Sequence, residues 1–388
     1  MNVTLAILYI PNKETAMKEV AGVSLISRAL VCALRADINK IYLLGIENSE
    51  HQKQIEQMLK RDPRVTNNCW QWINSPEQIE TTQTTICYRV DALFRPATFD
   101  RFVKQNHNAT KVQEGNVFLK FAYNEQQCIP RTWSTFIKYT VLTHTITNEV
   151  HIVNSTRIKE AENHMLNSLQ APWEGKVDTY FNRPVGRLIT MKLARAKCSP
   201  NLASSIAIIL GIIAALLVVN GYYWQTILAV LLLQISAVID CIDGDLARLQ
   251  FRESILGKWL DIAGDNFVHV VFFICLAIRE YSIVPTTVVV YLGISLAVTT
   301  TLSFFLVVYY QNKLKPQITG SNKMHNFIDG LISRDFTILL LIGSIFGNLH
   351  WFLWLAAIGG QLFLFLLVLI VLDASLTYLK SPIVIEEQ

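Results

Sequence analysis

The feature that most constrains the fold is a series of long apolar runs confined to the second half of the chain. Each run approaches the roughly 20 residues that an α-helix needs to cross a bilayer, whereas residues 1 to about 200 carry charges throughout. The runs lie at 202–220, 223–241, 262–283, 285–309, 335–350 and 351–378. Six transmembrane helices are therefore predicted after a water-soluble N-terminal part.

The composition excludes several classes of protein. Of the 388 residues, 52% are hydrophobic and only 16% are charged, which is too apolar for a disordered chain or an ordinary soluble globule. The seven cysteines contain no CxxC pair, so neither a zinc site nor a disulfide framework is indicated. A net charge of +4 is too small to favour a nucleic acid partner. The first residues lack a basic segment, so we expect no cleaved signal peptide.

The charge of the connectors predicts how the helices cross the membrane. Basic residues gather before the first run, between the second and third, and between the fourth and fifth, whereas the other three connectors hold one basic residue among them. Because Lys and Arg are retained on the cytoplasmic side, we expect both termini and the basic connectors in the cytoplasm. Tyr222, Trp224, Tyr281 and Trp351 then fall in the outer aromatic belt.

The N-terminal part mixes strand-like and helix-like patterns, which predicts a soluble α/β domain of Rossmann-like type. Buried strands are predicted over 3–10, 40–45 and 85–90, and helices over 24–36 and 160–169. A strand, a helix and a second strand at this spacing are typical of a βαβ unit in a parallel sheet.

A basic amphipathic stretch joins the two parts and is predicted to lie along the membrane surface. This stretch covers 182–197. We therefore divide the chain into a cytosolic domain over 1–180, an amphipathic interfacial helix over 181–200 and an all-α membrane domain over 201–388.

Acidic residues recur at helical spacing where the second apolar run ends. Asp240 and Asp243 are one turn apart, and Gly244, Ala247 and Arg248 continue the same stripe at steps of three and four residues. Residues at this spacing share one face of a helix, so both carboxylates are expected to point in one direction.

A second acidic stripe begins the third run. Gly257, Asp261 and Asp265 are spaced by four residues and share a face. Two helices that meet at their cytosolic ends would bring all four carboxylates into one pocket. A carboxylate at bilayer depth costs about 3 kcal/mol unless it is neutralised, and a hard divalent cation, Mg²⁺ or Mn²⁺, suits oxygen ligands best. The small Gly244, Ala247 and Gly257 leave room for a phosphorylated ligand.

This pattern resembles the signature of the CDP-alcohol phosphotransferase family, D-x2-D-G-x2-A-R-x8-G-x3-D-x3-D, without a departure. The resemblance covers about 190–380. It implies six transmembrane helices, often in a homodimer, with the site open to the cytosol. It also implies transfer of a substituted phosphate from a CDP-linked alcohol to the hydroxyl of an acceptor alcohol, with release of CMP, in phospholipid or polar-headgroup synthesis. The matching residues are Asp240, Asp243, Gly244, Ala247, Arg248, Gly257, Asp261 and Asp265.

The same resemblance implies roles for these residues. The four aspartates would hold two Mg²⁺ or Mn²⁺ ions, which polarise the donor pyrophosphate and stabilise the departing CMP. Asp265 and Asp261 are the expected catalytic residues, with Asp265 as the base for the attacking hydroxyl. Arg248 is expected to clamp a phosphate, although a helix-end charge is the other interpretation. The residues expected to bind CDP are Asp240, Gly244, Ala247, Arg248 and Gly257.

The sequence indicates the residues that bind the acceptor less clearly than those that bind metal and CDP. Relatives that accept a phosphorylated alcohol hold its phosphate with basic residues in places comparable to Arg334, Lys323 and Arg195. Topology determination explains the same residues about as well, so the acceptor can be phosphorylated or not. A membrane lipid is an expected partner, but a lipid-anchored and a soluble CDP-polyol donor both suit a site at the membrane face.

The soluble part resembles a second family. Residues 19–30 followed by 38–42 resemble the start of sugar-phosphate nucleotidyltransferases, and 90–96 resembles their metal-binding segment, with Asp91 as the acid. Those enzymes wrap a nucleoside triphosphate in a glycine-rich loop after the first strand. Here 9–16 contains Pro11 and no glycine, so it cannot present a run of backbone N–H groups to phosphates. We predict a nucleotidyltransferase-like domain that has lost catalysis.

Three alternatives remain open from the sequence. A bifunctional enzyme would use the N-terminal domain to make the CDP-activated donor from CTP. An ion transporter would line an ion path with the aspartates, but they lie at the cytosolic ends of the runs and no inverted repeat accompanies them. An inactive, scaffold-like relative would not be expected to keep all four carboxylates.

Overall fold

The computed structural model describes residues 5–65, 69–74, 85–104, 109–112, 115–121, 144–145, 151–153, 158–169, 175–314 and 336–380. The chain divides into two compact units. The first consists of Met1–Gln170, Leu193–Lys197 and Leu249–Phe251, and the second of Ala171–Lys192, Cys198–Arg248 and Arg252–Gln388.

The first unit is an α/β domain, as the sequence predicted, and it is built on a seven-stranded sheet that is mixed rather than wholly parallel. Its described strands are β1 (Leu5–Tyr9), β2 (Glu19–Val20), β3 (Val23–Ser24), β4 (Lys40–Leu44), β5 (Trp70–Trp72), β6 (Thr85–Arg89), β7 (Ala92–Leu93), β8 (Ala109–Val112), β9 (Gly115–Phe121), β10 (His144–Thr145) and β11 (His151–Ile152). The order in the main sheet is β10-β8-β9-β6-β1-β4-β5. The half formed by β6, β1, β4 and β5 is parallel, whereas β9 pairs antiparallel with both β6 and β8.

Helices cover this sheet and bury an apolar core. The described ones are α1 (Lys13–Met17), α2 (Leu25–Leu34), α3 (Ser49–Lys60), α4 (Pro96–Lys104) and α5 (Ile158–Ser168). Ser24 begins α2 as its N-cap and accepts a hydrogen bond from the backbone N–H of Ser27 at 3.2 Å. Residues 25–33 of α2 are all buried, and the phenol of Tyr88 donates to the carbonyl of Ala29 at 3.1 Å. The central strand β1 is buried on both faces, with Ala6 and Leu8 in one apolar cluster and Leu5 and Ile7 in another, which explains why its sequence is a continuous apolar run.

The second unit is helical. A π-helical turn at Asp178–Asn182 leads into α6 (Arg183–Arg195), followed by α7 (Pro200–Val218), α8 (Tyr223–Gln250), α9 (Ile255–Ile283), α10 (Thr287–Tyr309), a second π-helical turn (Tyr310–Leu314), α11 (Phe336–Ile345) and α12 (Leu349–Lys380). Five of the described helices, α7, α8, α9, α10 and α12, are long and apolar enough to cross a membrane. Large apolar side chains such as Leu216, Ile294 and Phe305 are about 60% exposed on their outer faces, which suits contact with lipid.

The fifth predicted span is only partly covered. The run over 335–350 contains α11, which ends at Ile345, and a turn before α12 begins at Leu349. Residues 315–335 lie outside the described part of the chain. Six spans and the position of the termini therefore stay predictions.

Two helices are longer than their apolar runs. The run at 223–241 continues as helix to Gln250, and the run at 262–283 begins as helix at Ile255. Phe251, with φ of 55°, ends the first helix in the left-handed region, and Ser254 caps the second by accepting from the N–H of Gly257 at 2.9 Å. Both acidic stripes are consequently on helices rather than at their ends.

Glycines allow α7 and α9 to pack closely. A Cβ on Gly264 would lie 2.4 Å from Cδ1 of Ile208, and one on Gly211 would lie 2.4 Å from Cγ1 of Val268. Close approach of helix backbones through small residues is a common packing mode in membranes. The contact fixes the rotation of α9 and hence the direction of its acidic stripe.

Candidate active site

Three carboxylates from two helices converge. Asp240 and Asp243 on α8 and Asp261 on α9 each place one carboxylate oxygen within 4.8 Å of the other two. Asp243 is buried, and the other two are half-buried. Carboxylates this close repel one another unless a cation lies among them. A donor set of carboxylate oxygens alone fits a hard divalent ion such as Mg²⁺ or Mn²⁺.

Asp240 and Asp261 line a cavity of about 980 Å³, whereas Asp243 is not among the described residues that line it. Asp265, one turn beyond Asp261, lines the same cavity, and its Oδ1 lies 3.8 Å from Nε2 of His269, another lining residue. Asp240 of the first stripe and Asp261 and Asp265 of the second thus line one space. The predicted site residues that line this cavity are Asp240, Gly244, Arg248, Asp261 and Asp265.

Gly244 leaves room for Arg248. A Cβ on Gly244 would lie 3.3 Å from Nη2 of Arg248, so the guanidinium passes directly over the glycine backbone. Gly257 has a different neighbourhood, since a Cβ there would lie 3.0 Å from Oδ1 of Asn201 and from Oγ of Ser254. Among the described residues, neither Gly257 nor Ala247 lines the cavity. Their role in CDP binding stays a prediction.

Arginines and a buried aspartate complete the charged end of the cavity. Arg183 and Arg248 both line it, and both donate to Oδ1 of Asp245, at 2.7 Å and 3.0 Å. The sequence analysis identified Arg248 but missed Arg183 and Asp245. Asp245 occupies a variable position of the signature, and Arg183 lies before its first residue, so no spacing pattern marked either of them.

The other end of the cavity is apolar. Its wall is formed by α9, α10, α11 and α12, which contribute five phenylalanines together with Thr299, Thr300 and Ser303. The cavity thus runs from a charged end to an end suited to hydrocarbon. The five phenylalanines are Phe273, Phe304, Phe336, Phe352 and Phe363.

The predicted acceptor residues are not brought together in the described structure. Arg195 belongs to the first unit, where its guanidinium pairs with the buried carboxylate of Glu162. The hydrogen bond to Glu162 raises the pKa of Arg195 above its ordinary value. Lys323 and Arg334 lie outside the described residues. Acceptor binding by these three residues stays a prediction.

The first unit carries one acid at the place of the predicted nucleotide site. Asp91 follows β6, and Arg89 donates two hydrogen bonds to its carboxylate, from Nε at 2.8 Å and from Nη2 at 2.5 Å. This hydrogen bond raises the pKa of Arg89.

After the neighbouring strand β1, the glycine-free segment folds into α1 rather than into a phosphate loop. Asn12 caps this helix and accepts from the N–H of Thr15 at 2.7 Å, which occupies one of the free backbone donors.

Comparison with known proteins identifies the helical part. Residues 197–362 match the family model of CDP-alcohol phosphatidyltransferase. The bifunctional IPC transferase and DIPP synthase of Archaeoglobus fulgidus is 28% identical over 199 residues, 48% of this chain and 37% of that protein. Proteins of the same name from Aquifex aeolicus and Thermococcus kodakarensis are 33% identical over 106 residues and 36% over 104, each 27% of this chain and 24% and 23% of their own lengths. The matches thus span well under half of these relatives.

Proposed function

We propose, from the membership of residues 197–362 in the CDP-alcohol phosphatidyltransferase family, that the chain is a membrane enzyme which moves a substituted phosphate from a CDP-linked alcohol to an acceptor alcohol and releases CMP. One observation carries the proposal: three of the four aspartates of the signature, spread over two helices, converge beside a cavity large enough for a nucleotide, and the fourth, Asp265, lines that cavity. A structural role for these acids does not require such convergence.

The chain's own residues suit this reaction. Asp240, Asp243 and Asp261 would hold Mg²⁺ or Mn²⁺, in two ions if Asp265 contributes, and bound metal would draw electron density from the donor's phosphates. Asp265 would accept the proton of the acceptor hydroxyl. The hydroxyl oxygen then bonds to the phosphorus that bears the donor alcohol, and the bond from that phosphorus to CMP breaks. Arg248 lies at the same end of the cavity and can neutralise charge on the phosphates.

A membrane lipid is the proposed partner on one side of the reaction. The apolar end of the cavity, between helices whose outer faces are also apolar, can receive a hydrocarbon chain while the charged end receives the phosphates. We propose that both termini and the site face the cytoplasm and that the protein is a homodimer. The basic connectors support the orientation, and the resemblance to the family supports the dimer.

The decisive experiment follows lipids that co-purify with the protein. Mass spectrometry before and after addition of CMP and Mn²⁺ should detect a new CDP-linked alcohol, since CMP drives transfer backwards. Asp265→Asn should abolish this product without loss of folding. Asp100→Asn, which alters an exposed acid of α4 paired with Lys104, is the control. Metal-dependent ion flux without any CMP chemistry would contradict the proposal and favour the ion transporter.

A second candidate is the bifunctional enzyme. It is favoured by the names of the relatives, which denote two activities in one chain, and by the α/β fold of the first unit. The capped helix α1 and the Arg89–Asp91 pair argue against it. Incubating the full chain carrying Asp265→Asn with CTP, Mg²⁺ and candidate alcohol phosphates separates the two. We expect no pyrophosphate, and its release would establish the second activity.

A further inference from the structure

A buried carboxylate joins two arginines at the charged end of the cavity. The side chain of Asp245 is only 3% exposed, and its Oδ1 accepts from Nη1 of Arg183 and from Nη2 of Arg248. Burial of one carboxylate requires one compensating cation. Two guanidinium groups share this one carboxylate oxygen, and both arginines line the cavity together with Asp240, Asp261 and Asp265.

The packing of α6 on α8 determines where Arg183 lies. Gly186, one turn after Arg183, is the contact point, since a Cβ there would lie 3.2 Å from Cγ1 of Ile242 and 3.6 Å from the carbonyl oxygen of Val238. The close approach brings the start of α6 to the helix that carries two of the converging aspartates. The side chain of Arg183 is 11% exposed, so its position is defined by its surroundings rather than by solvent.

We infer that Arg183 is a substrate-binding residue that contacts the diphosphate of the CDP-linked donor. This inference rests on the proposed function. A guanidinium held by a carboxylate on one side presents its planar array of N–H donors in a fixed direction, which suits phosphate oxygens. The divalent ions and Arg248 would face the same diphosphate, and Arg183 adds a positive charge from a segment that precedes the signature.

We assign Arg183 to the diphosphate of the donor rather than to an acceptor phosphate because of the hydrogen bonds that link it to Arg248 through Asp245. Asp245 ties Arg183 to Arg248, and Arg248 belongs to the signature that the family uses for the CDP-linked donor. Two arginines sharing one carboxylate oxygen are close together, and a diphosphate offers two adjacent anionic groups to such a pair. Arg183 would thus make the donor site depend on α6, which begins before residue 197, where the family match starts.

The test measures binding of CDP, CMP and cytidine to the full-length protein in detergent with Mn²⁺, by calorimetry. Arg183→Gln should weaken CDP binding about 10- to 100-fold, as expected for loss of a hydrogen bond to a charged group. Cytidine, which lacks phosphates, should bind the variant and the wild type equally. Arg187→Gln is the matched control, because Arg187 is on the same helix and is not among the described residues that line the cavity.

Arg183→Lys distinguishes a role of Arg183 in CDP binding from a role in folding alone. It keeps a cation beside Asp245, so the protein should fold with wild-type thermal stability, and CDP should still bind several-fold more weakly because the planar fork is lost. The inference is overturned if Arg183→Gln binds CDP as the wild type does, if Arg187→Gln loses as much affinity, or if Arg183→Gln unfolds while Arg183→Lys binds CDP normally. A wild-type protein that binds no CDP with Mn²⁺ would instead refute the proposed function itself.

Discussion

The acid at the predicted nucleotide site of the first unit and the acids that converge in the second unit have different neighbours. In the first unit, Asp91 forms an ion pair with Arg89, two residues before it. Asp62 likewise accepts hydrogen bonds from Arg64, two residues after it, from Nε at 2.7 Å and from Nη2 at 2.8 Å. In the second unit, Asp240, Asp243 and Asp261 approach one another from two helices. An acid neutralised by an arginine on its own strand or turn needs no ligand, whereas acids gathered from distant parts of the chain need a cation.

Under the proposal that the first unit has lost catalysis, this difference separates a lost site in the first unit from the site proposed in the second. A nucleotidyltransferase-like fold with an acid at the end of a central strand is not sufficient for catalysis if a guanidinium already occupies the carboxylate and the phosphate loop has become a helix.

The largest effect is expected for Asp261→Asn. The substitution removes one of three converging carboxylates while keeping its size, so divalent metal affinity and phosphate transfer should fall together, transfer by at least about 10³-fold. Electron paramagnetic resonance of Mn²⁺ titrated into the purified protein measures the first quantity, and CMP-dependent exchange measures the second. Full Mn²⁺ binding by the variant would contradict the assignment of the three acids as ligands.

A smaller effect is expected for Arg89→Gln, which tests whether the Arg89–Asp91 pair of the first unit is structural. Asp91 is 6% exposed, so loss of its partner should destabilise the surrounding β6–β7 region by about 1–3 kcal/mol. Amide hydrogen exchange of these strands measures the change, and the double variant Arg89→Gln with Asp91→Asn should recover part of it. We expect no new Mn²⁺ site, because a single carboxylate is a poor divalent ligand set. Tight Mn²⁺ binding by Arg89→Gln would mean that the arginine blocks a competent metal site.

Gly244→Ala should shift only the side chain of Arg248 and should lower CDP affinity only slightly. The added Cβ would meet only the far end of Arg248, at 3.3 Å, so the protein should fold normally while the guanidinium shifts. CDP affinity should fall by about 3- to 10-fold, or roughly 1 kcal/mol. Gly264→Ala is a useful contrast, since it crowds Ile208 in the packing of α7 on α9 and should lower thermal stability. If Gly244→Ala binds CDP normally, Arg248 does not need its present position.

The sequence predicted the convergence of acids in the second unit better than the contacts around them. Helical spacing placed Asp240, Asp243 and Asp261 on common faces, and the structure brings their oxygens together. The apolar runs are shorter than α8 and α9, because hydropathy detects where a helix leaves the apolar layer rather than where it stops.

Arg183 and Asp245 were missed for a different reason. They are 62 residues apart, and their contact depends on the packing at Gly186. No local pattern encodes such a contact, and an aspartate in a variable position of a signature gives no indication of the residue it pairs with. In the first unit the strands and helices were predicted from periodicity, but the Arg89–Asp91 pair was not, since two-residue spacing of opposite charges is common in any chain.

The smallest effect concerns the pair of Asp62 and Arg64, which tests whether arginine pairing in the first unit is structural. Burial alone would raise the pKa of Asp62, but hydrogen bonds from Arg64 and Ser27 outweigh it and lower that pKa. A carboxyl with a lowered pKa in the folded state stabilises the protein above its unfolded pKa, and this contribution is lost as the pH falls through the folded value. Asp62→Asn should therefore destabilise the end of α3 by about 1 kcal/mol at pH 7, and the gap to wild type should close in acid, where both side chains are neutral. Hydrogen exchange from pH 7 down to pH 3, corrected for intrinsic rates, measures this gap, and a gap that stays constant throughout would show that the ion pair contributes nothing to stability.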